Sequence, residues 1–243
     1  MNDSASGSSM PQYSPTLAAR LVLFPFYLFG ILCGSLLLSV LVEWVGIIFF
    51  WPDLGWHHAQ QMFQFELAQF AKNFAQSLML SSPAEMAHWL TKHLHDWLTI
   101  KSGLREGLQV AIRDPHDVHT FREGLHWFLQ RMEDYAVSAV WMVQVFALRC
   151  LVILLTLPLF VMAAFAGLVD GLVRRDLRHF TAGHESGFVY HRARASVLPL
   201  TTLSWVIYLS LPMSVHPLMV LLPGAAALGI AVDVMVGSFK KHL

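Results

Sequence analysis

The feature that most constrains the fold of this chain is a set of apolar segments long enough to cross a lipid bilayer. A hydrocarbon core about 30 Å thick needs roughly 20 residues of α-helix, each of which rises about 1.5 Å. Four segments have this length and character, at residues 21–42, 141–173, 195–211 and 218–237. We therefore expect an all-α membrane protein with four transmembrane helices, the third of which is short and contains Pro199.

The composition agrees with this expectation. Apolar residues make up 56% of the 243 residues and charged residues only 13%, whereas about a quarter of an ordinary soluble domain is charged. Sixteen basic and sixteen acidic residues cancel, so no net field points to nucleic acid or to an acidic partner. Cys33 and Cys150 both lie in apolar segments, and we expect reduced packing residues rather than a disulfide.

The distribution of basic residues sets the expected orientation. Short loops with an excess of Lys and Arg stay in the cytoplasm. Such residues lie before the first span, between the second and third, and after the fourth. Four spans place all three positions on one side, which predicts a bacterial inner-membrane protein with both termini in the cytoplasm.

The chain then divides into seven parts, with a helical periplasmic domain between spans one and two. The expected parts are a cytoplasmic tail at 1–20, transmembrane helix 1 with the outer interface at 21–52, the periplasmic helical domain at 53–138, transmembrane helix 2 at 139–173, a basic cytoplasmic loop at 174–194, a transmembrane hairpin of helices 3 and 4 at 195–238, and a cytoplasmic C-terminus at 239–243. Tryptophans cluster near the expected outer interface, where amphipathic rings are favoured. They are Trp44, Trp51, Trp56 and Trp141.

The periplasmic segment has helical periodicity. Apolar residues recur at steps of three and four, at Phe63, Leu67, Phe70, Phe74 and Leu78. Ser82, Pro83 and Glu85 have the pattern of a capping box with proline at the first helical position, which predicts a second helix. Its apolar residues are Met86, Leu90, Leu94 and Trp97.

A third periplasmic helix is predicted to begin at Asp114 and Pro115 and to run without a break into the second span. Its apolar stripe contains four candidates for a periplasmic interface, Phe121, Leu125, Phe128 and Met132. Such a stripe suits either the core of an internal helical bundle or coiled-coil packing against another subunit.

Two ionisable residues lie inside apolar segments near the outer interface. Glu43 is about 22 residues from the cytoplasmic start of the first span, and Arg149 is about 24 residues from the cytoplasmic end of the second, so their depths are similar. Charged groups inside a membrane need partners. We predict that Glu43 and Arg149 form an intramembrane ion pair, and the alternative is that each extends separately to the interface.

Small residues at steps of four predict close helix packing within the membrane. They are Gly30 and Gly34 in the first span, Ala163, Gly167 and Gly171 in the second, and Ala225, Gly229 and Gly237 in the fourth. Asp170 and Asp233 lie near the cytoplasmic ends of the second and fourth spans, beside basic residues. We expect these intramembrane carboxylates to be structural, and a proton or ion pathway is the alternative.

The sequence carries no pattern for enzymatic chemistry. It lacks a Walker loop, a dinucleotide-binding glycine pattern, GxSxG and HExxH. His88, His93 and His95 are separated by five and two residues, which does not align ligands on one helical face. We expect a non-enzymatic protein with no catalytic residue, no cofactor and no metal.

The stretch between the second and third spans carries five arginines against Asp176 and Glu185. Contact with anionic lipid headgroups is the simplest use of such a loop, and the alternatives are a partner protein or nucleic acid. A net charge of about +3 is too small to predict DNA binding, so we do not expect direct contact with nucleic acid. The predicted cytoplasmic interaction residues are Arg174, Arg175, Arg178, Phe188, Tyr190, Arg192 and Arg194.

Two runs of sequence resemble a known family. They are DGLVRRDLRHFTAGHESGFVYHRA at residues 170–193 and LVEWVGIIFFWPDLGWHHAQQM at residues 41–62. Both are similar to the integrating conjugative element membrane proteins, and the resemblance extends over essentially the whole chain with its four-span layout. It implies a place in conjugative DNA transfer through a type IV secretion system, typically encoded beside the coupling ATPase, and it assigns no catalytic residues.

The leading hypothesis is therefore a non-enzymatic inner-membrane subunit of a conjugation machine that packs its spans against the coupling ATPase or a channel subunit. A second copy of the chain is a further candidate partner. One alternative is an exclusion or regulatory factor that acts through the periplasmic domain. Another is a small transporter that uses Asp170 and Asp233.

Overall fold

The computed structural model describes residues 17–74, 82–101, 119–180 and 187–238, and within these ranges its ordered elements are all helical. The elements are α1 (Leu17–Phe49), α2 (His57–Asn73), α3 (Pro83–Asp96), a π-helical turn (Trp97–Lys101), α4 (His119–Phe180), α5 (Gly187–Ser210) and α6 (Pro217–Gly237). The prediction of an all-α fold is confirmed for the described residues.

Among the described residues, three helices are long and apolar enough to cross a membrane. These segments are Pro25–Phe49 in α1, Met132–Leu177 in α4 and Pro217–Gly237 in α6, which correspond to the first, second and fourth predicted spans. Helix α5 covers the third predicted span but is less apolar, because Arg192 and Arg194 occupy its first turns and hydroxyl side chains interrupt the rest. The count of four spans therefore stays a prediction.

Helix α4 is 62 residues long, which corresponds to roughly 90 Å at 1.5 Å per residue. From His119 onward it confirms the prediction of one helix that enters the second span without a break. The predicted start at Asp114 lies outside the described residues. Because of its length, α4 contacts each of the other five α-helices.

The long helices alternate in direction along α4. Helix α1 is antiparallel to α4, α6 is parallel to it, and α5 returns antiparallel to α6. For α1 and α4, Trp44 lies beside Tyr135 and Val40 packs against the cluster that contains Met142 and Val145. For α4 and α6, Ala163 lies beside Gly229 and Gly171 beside Asp233. For α5 and α6, Ser204 lies beside Gly224, and residues 211–216 alone connect the two helices.

The helices around α4 form two successive tiers. The first tier consists of α2, α3 and the C-terminal half of α1 around residues 132–152 of α4, and the second consists of α5 and α6 around residues 153–177. Buried residues of the first tier include Ala59, Met62, Phe63, Met142 and Val145. Buried residues of the second include Phe160, Tyr208, Leu221, Ala225 and Leu228. Phe70 of α2 belongs to the same cluster as the second-tier residues, so the two tiers share a core.

A tight reversal after α1 lets α2 fold back along α4. The N–H groups of Phe50 and Trp51 both donate to the carbonyl oxygen of Gly46, over 2.8 and 3.0 Å. The Trp51 indole covers Gly46, where a Cβ atom would lie 2.1 Å from Trp51 Cζ2. Gly55 has a φ of 51°, a left-handed conformation that glycine adopts without steric penalty.

Helix α3 begins where predicted, and its predicted apolar face is buried only in part, since Leu90 and Leu94 are half-buried. It starts at Pro83, yet the residue before it makes no capping hydrogen bond through its side chain. The buried residues are Pro83, Ala87 and Thr91, whereas Met86 and Trp97 of the predicted apolar face are 40% and 63% exposed. The most deeply buried side chains of α3 are therefore small ones.

Candidate functional site

A buried arginine lies where the two tiers meet. Arg149 of α4 is 1% exposed, and its guanidinium contacts Glu66 of α2, which is 9% exposed. Arg149 Nε donates to both carboxylate oxygens of Glu66 over 3.1 Å, and Nη2 donates to Oε1 over 2.5 Å. A planar guanidinium suits such a multiple contact with a carboxylate better than an ammonium does.

The same guanidinium binds the end of α5 and the turn that follows it. Nη1 of Arg149 donates to the carbonyl oxygens of Tyr208 and Leu211 over 3.2 and 2.6 Å. Nη2 donates to that of Met213 over 3.1 Å. Carbonyls at a helix C-terminus lack intrahelical partners and carry partial negative charge. Arg149 therefore joins α2, α4 and the turn between α5 and α6 through one side chain.

A second buried carboxylate, Glu43 of α1, is paired with a histidine of α2. Glu43 is fully buried, and its two oxygens lie 2.9 and 3.2 Å from His58 Nδ1. The His58 ring also stacks on Trp51, with 3.9 Å between the ring centroids. This pair connects α1 to α2 at the end of the first tier that is distant from Arg149.

The predicted Glu43–Arg149 pair is thus corrected to two separate pairs. The prediction matched the two residues by depth alone, and it did not foresee that α2 folds back and supplies His58 and Glu66 as partners. A signal for this arrangement was present in the sequence. Glu66 lies three residues after Phe63, within the apolar face of α2, where a carboxylate needs a buried partner.

A further charged cluster lies at the opposite end of the second tier. Arg174 Nη2 is 2.8 Å from Asp233 Oδ2 and 3.9 Å from Asp170 Oδ2. The side chain of Asp233 is 10% exposed, while that of Asp170 is 72% exposed. Oδ1 of Asp233 is buried and has no hydrogen-bond partner among the described residues. Arg174 is therefore shared by two carboxylates.

Small residues pack α4 directly against α6. A Cβ atom on Gly167 would lie 2.0 Å from the carbonyl oxygen of Gly229, and one on Gly171 would lie 2.7 Å from that of Asp233. These distances are shorter than any Cβ contact tolerates, so the helix backbones meet at these positions. Predicted packing residues in or beside this contact are Ala163, Gly167, Gly171, Ala225, Gly229 and Gly237.

The two glycines of α1 are placed differently. A Cβ atom on Gly30 or Gly34 would have no neighbouring atom within 4 Å. The GxxxG pattern of the first span therefore makes no close helix contact within the described part of the chain.

The predicted basic loop at 174–194 is largely helical. Helix α4 continues to Phe180 and α5 begins at Gly187, because Arg and Leu favour helix. Residues 181–186 and the side chain of Arg178 lie outside the part of the chain that the structure describes. The other predicted interaction residues lie in these two helices. Arg174, Phe188, Arg192 and Arg194 are exposed, and Arg175 and Tyr190 are partly buried.

The predicted periplasmic interface is described in part. Met132 is 52% exposed, whereas the side chains of Phe121, Leu125 and Phe128 lie outside the described residues. Of His88, His93 and His95, the last lies with its Nδ1 atom 3.1 Å from Gln144 Nε2. No three His, Cys, Asp or Glu side chains of the described ranges come together as a metal site would require.

Comparison with known proteins relates the chain to DNA transfer. The sequence model of a family described as IncC plasmid conjugative DNA transfer protein DtrJ-like matches residues 50–240, more than half of the chain. No curated protein and no solved structure matches the chain. The family match confirms the relation to conjugation that the sequence predicted, while the narrower resemblance to integrating-element membrane proteins stays a prediction.

Proposed function

Because this chain belongs to the DtrJ-like family of conjugative DNA transfer proteins, we propose that it is a non-enzymatic inner-membrane subunit of a conjugative type IV secretion apparatus. In this role its membrane helices pack against the coupling ATPase or a channel subunit. The chain contributes a scaffold, and the energy and the DNA-handling chemistry belong to its partners.

The proposed topology has four spans, α1, α4, α5 and α6, with residues 53–138 in the periplasm and both termini in the cytoplasm. The alternating helix directions support it, because each helix begins on the side where the previous one ends. Helix α5 lies between α1 and α6 and contacts both, so part of its surface is shielded from lipid by protein. Arg174, Arg175, Arg192 and Arg194 then lie together at the cytoplasmic end, as the positive-inside rule requires.

The observation that carries the proposal is how Arg149 is used. An arginine that binds a ligand or assists a reaction presents its guanidinium to a cavity. Arg149 instead donates its hydrogen bonds to Glu66 and to backbone carbonyls at the end of α5 and in the α5–α6 turn. Its role is to fix the proposed periplasmic helices to the proposed membrane bundle, which is the task of a structural subunit.

Exposed apolar side chains leave surfaces for partners within the membrane. Val161, Met162 and Phe165 of α4 are 61–66% exposed, and Leu37 of α1 is 64% exposed. Lipid covers such residues on an isolated protein, and helices of other subunits cover them in an assembly.

Co-purification tests the proposal. The tagged full-length chain is extracted with mild detergent from donor-cell membranes that express the transfer genes, and an unrelated tagged inner-membrane protein serves as the control. We expect the coupling ATPase or a channel subunit to elute with the chain but not with the control. A chain that elutes alone, from an element that still transfers DNA after its gene is deleted, contradicts the proposal.

The exposed apolar residues of α3 and of the π-helical turn that follows it favour a second candidate, an exclusion or regulatory factor. Met86, Trp89 and Trp97 are 40%, 59% and 63% exposed, and on the periplasmic side this face would be open to an incoming machine. Exclusion predicts that deletion in recipient cells raises their acceptance of DNA. The leading proposal predicts instead that transfer falls when the gene is deleted in donor cells.

A further inference from the structure

We propose that the groove between α4 and α6 receives a transmembrane helix of another protein, and that this helix carries a lysine or arginine facing Asp170 and Asp233. This inference rests on the proposed function and adds the chemistry that the partner's surface must have.

The groove is formed where the two helix backbones meet. Its volume is about 420 Å³. Apart from the two aspartates, the residues that line it are Ala163, Ala166, Gly167, Ala226, Gly229 and Ile230. Walls of Gly and Ala allow the backbone of a further helix to approach closely, which is how helices associate in membranes.

The two carboxylates in this groove are incompletely neutralised. Arg174 is 2.8 Å from Asp233 but 3.9 Å from Asp170, so one cation serves two anions. Oδ1 of Asp233 is buried without a hydrogen-bond partner among the described residues, in a side chain that is only 10% exposed. Within the described part of the chain, the two carboxylates of the groove therefore share one arginine, and one oxygen of Asp233 has no hydrogen-bond partner.

The surroundings make an incompletely neutralised carboxylate costly. Asp170 belongs to the apolar segment Met132–Leu177, and its neighbours Val169 and Leu172 are 43% and 37% exposed. A carboxylate inside a transmembrane segment normally faces other protein and pairs there. One additional cation would balance the charges, with two carboxylates against two basic groups.

The chemistry of the groove favours a basic helix over other occupants. An anionic phospholipid would bring its phosphate towards two carboxylates, which repel it. A bound metal cation takes six or more oxygen ligands when it is Ca²⁺ or Mg²⁺, more than two partly used carboxylates supply. A helix that carries a lysine or arginine fits between the small-residue walls, and its cation can pair with the exposed carboxylate of Asp170 and add positive charge beside Asp233.

Photocrosslinking in donor-cell membranes tests the inference. Benzoylphenylalanine replaces Ala226, which is exposed in the groove, and a matched variant replaces Leu203, which is 56% exposed on α5 outside it. We expect a single crosslink from position 226 to a transmembrane segment that contains Lys or Arg, identified by peptide mass spectrometry. The same product should be absent from position 203.

Charge and steric variants then test the contact itself. Asp170→Asn removes the exposed carboxylate, and Ala226→Trp fills the groove of an otherwise unchanged chain. Each should lower the partner's co-purification about tenfold, while Asp176→Asn, at a carboxylate that is 73% exposed outside the groove, should leave it unchanged. Asp170→Lys combined with an acidic residue in place of the partner's basic residue should restore it.

Three outcomes would overturn the inference. They are a crosslink to a segment without a basic residue, a crosslink between two copies of this chain, and full co-purification of the Asp170→Asn and Ala226→Trp variants. Membrane levels and melting temperatures of these variants, compared with the parent, establish that they fold. If the partner co-purifies with the parent chain and equally well with the groove variants, the proposed function stands and only this inference fails.

Discussion

The guanidinium of Arg149 binds the carbonyl groups at the C-terminus of α5, as a helix-capping group does, although it belongs to a neighbouring helix. The last carbonyls of α5 point towards it, and the carboxylate of Glu66 balances its charge. Buried ion pairs add little net stability compared with apolar residues of the same shape, but removing one partner leaves a buried charge alone. The contact is therefore best tested by removing one group and then both.

Arg149→Met should destabilise the protein by about 3–5 kcal/mol, because Glu66 stays buried without a partner. Arg149→Met combined with Glu66→Met should recover part of this loss, since no unpaired charge remains. Thermal or chemical unfolding in detergent, followed by tryptophan fluorescence, measures both. Equal melting temperatures of Arg149→Met and the double variant would contradict the assigned pair.

Glu43 supplies the control for this pairing. Glu43→Gln weakens the contact with His58, which shares no partner with Arg149. The effects of Glu43→Gln and Arg149→Met should then add within about 0.5 kcal/mol. A larger coupling energy would indicate that Glu43 and Arg149 interact after all.

At the scale of helices, periodicity and small-residue spacing predicted most of the elements, whereas the partners of the buried charges depended on tertiary structure. The continuous stripe into the second span predicted α4, and the pattern of Pro83 predicted the start of α3. Burial on α3 was not predictable, because an amphipathic count assumes that large residues are buried. Here Ala87 is fully buried, whereas Trp89 is 59% exposed.

The contact between α4 and α6 should depend on glycine at a single position. Gly167→Ala places a Cβ atom against the carbonyl oxygen of Gly229, so the helices must separate, at a cost of about 1–3 kcal/mol. Gly34→Ala, with open space around the new methyl group, should change stability by less than about 0.5 kcal/mol. Melting temperatures measured side by side in one detergent decide the matter, and similar losses for both variants would argue against the contact.

At the scale of the whole molecule, the four-span topology is open to a direct test. In a background with Cys33 and Cys150 replaced, single cysteines are introduced at Met213, in the α5–α6 turn, and at Asp176, near the end of α4. An impermeant maleimide added to intact cells should label position 213, which is 58% exposed in the native chain, and should label position 176 only after the membrane is opened. If both positions are labelled, or both protected, in intact cells, α5 does not cross the membrane.

The length of α4 has a consequence for where the protein sits in the bilayer. Its apolar segment Met132–Leu177 has 46 residues and measures roughly 69 Å, more than twice the thickness of the hydrocarbon core. Helix α6 packs in parallel beside the C-terminal part of this segment, and its 21 residues measure roughly 31 Å, which matches the hydrocarbon core. In the proposed topology α6 therefore fixes the height of the molecule in the bilayer. The N-terminal part of the α4 segment then extends beyond the core on the side away from Arg174 and Arg175, where α2 and α3 rather than lipid cover much of its apolar surface.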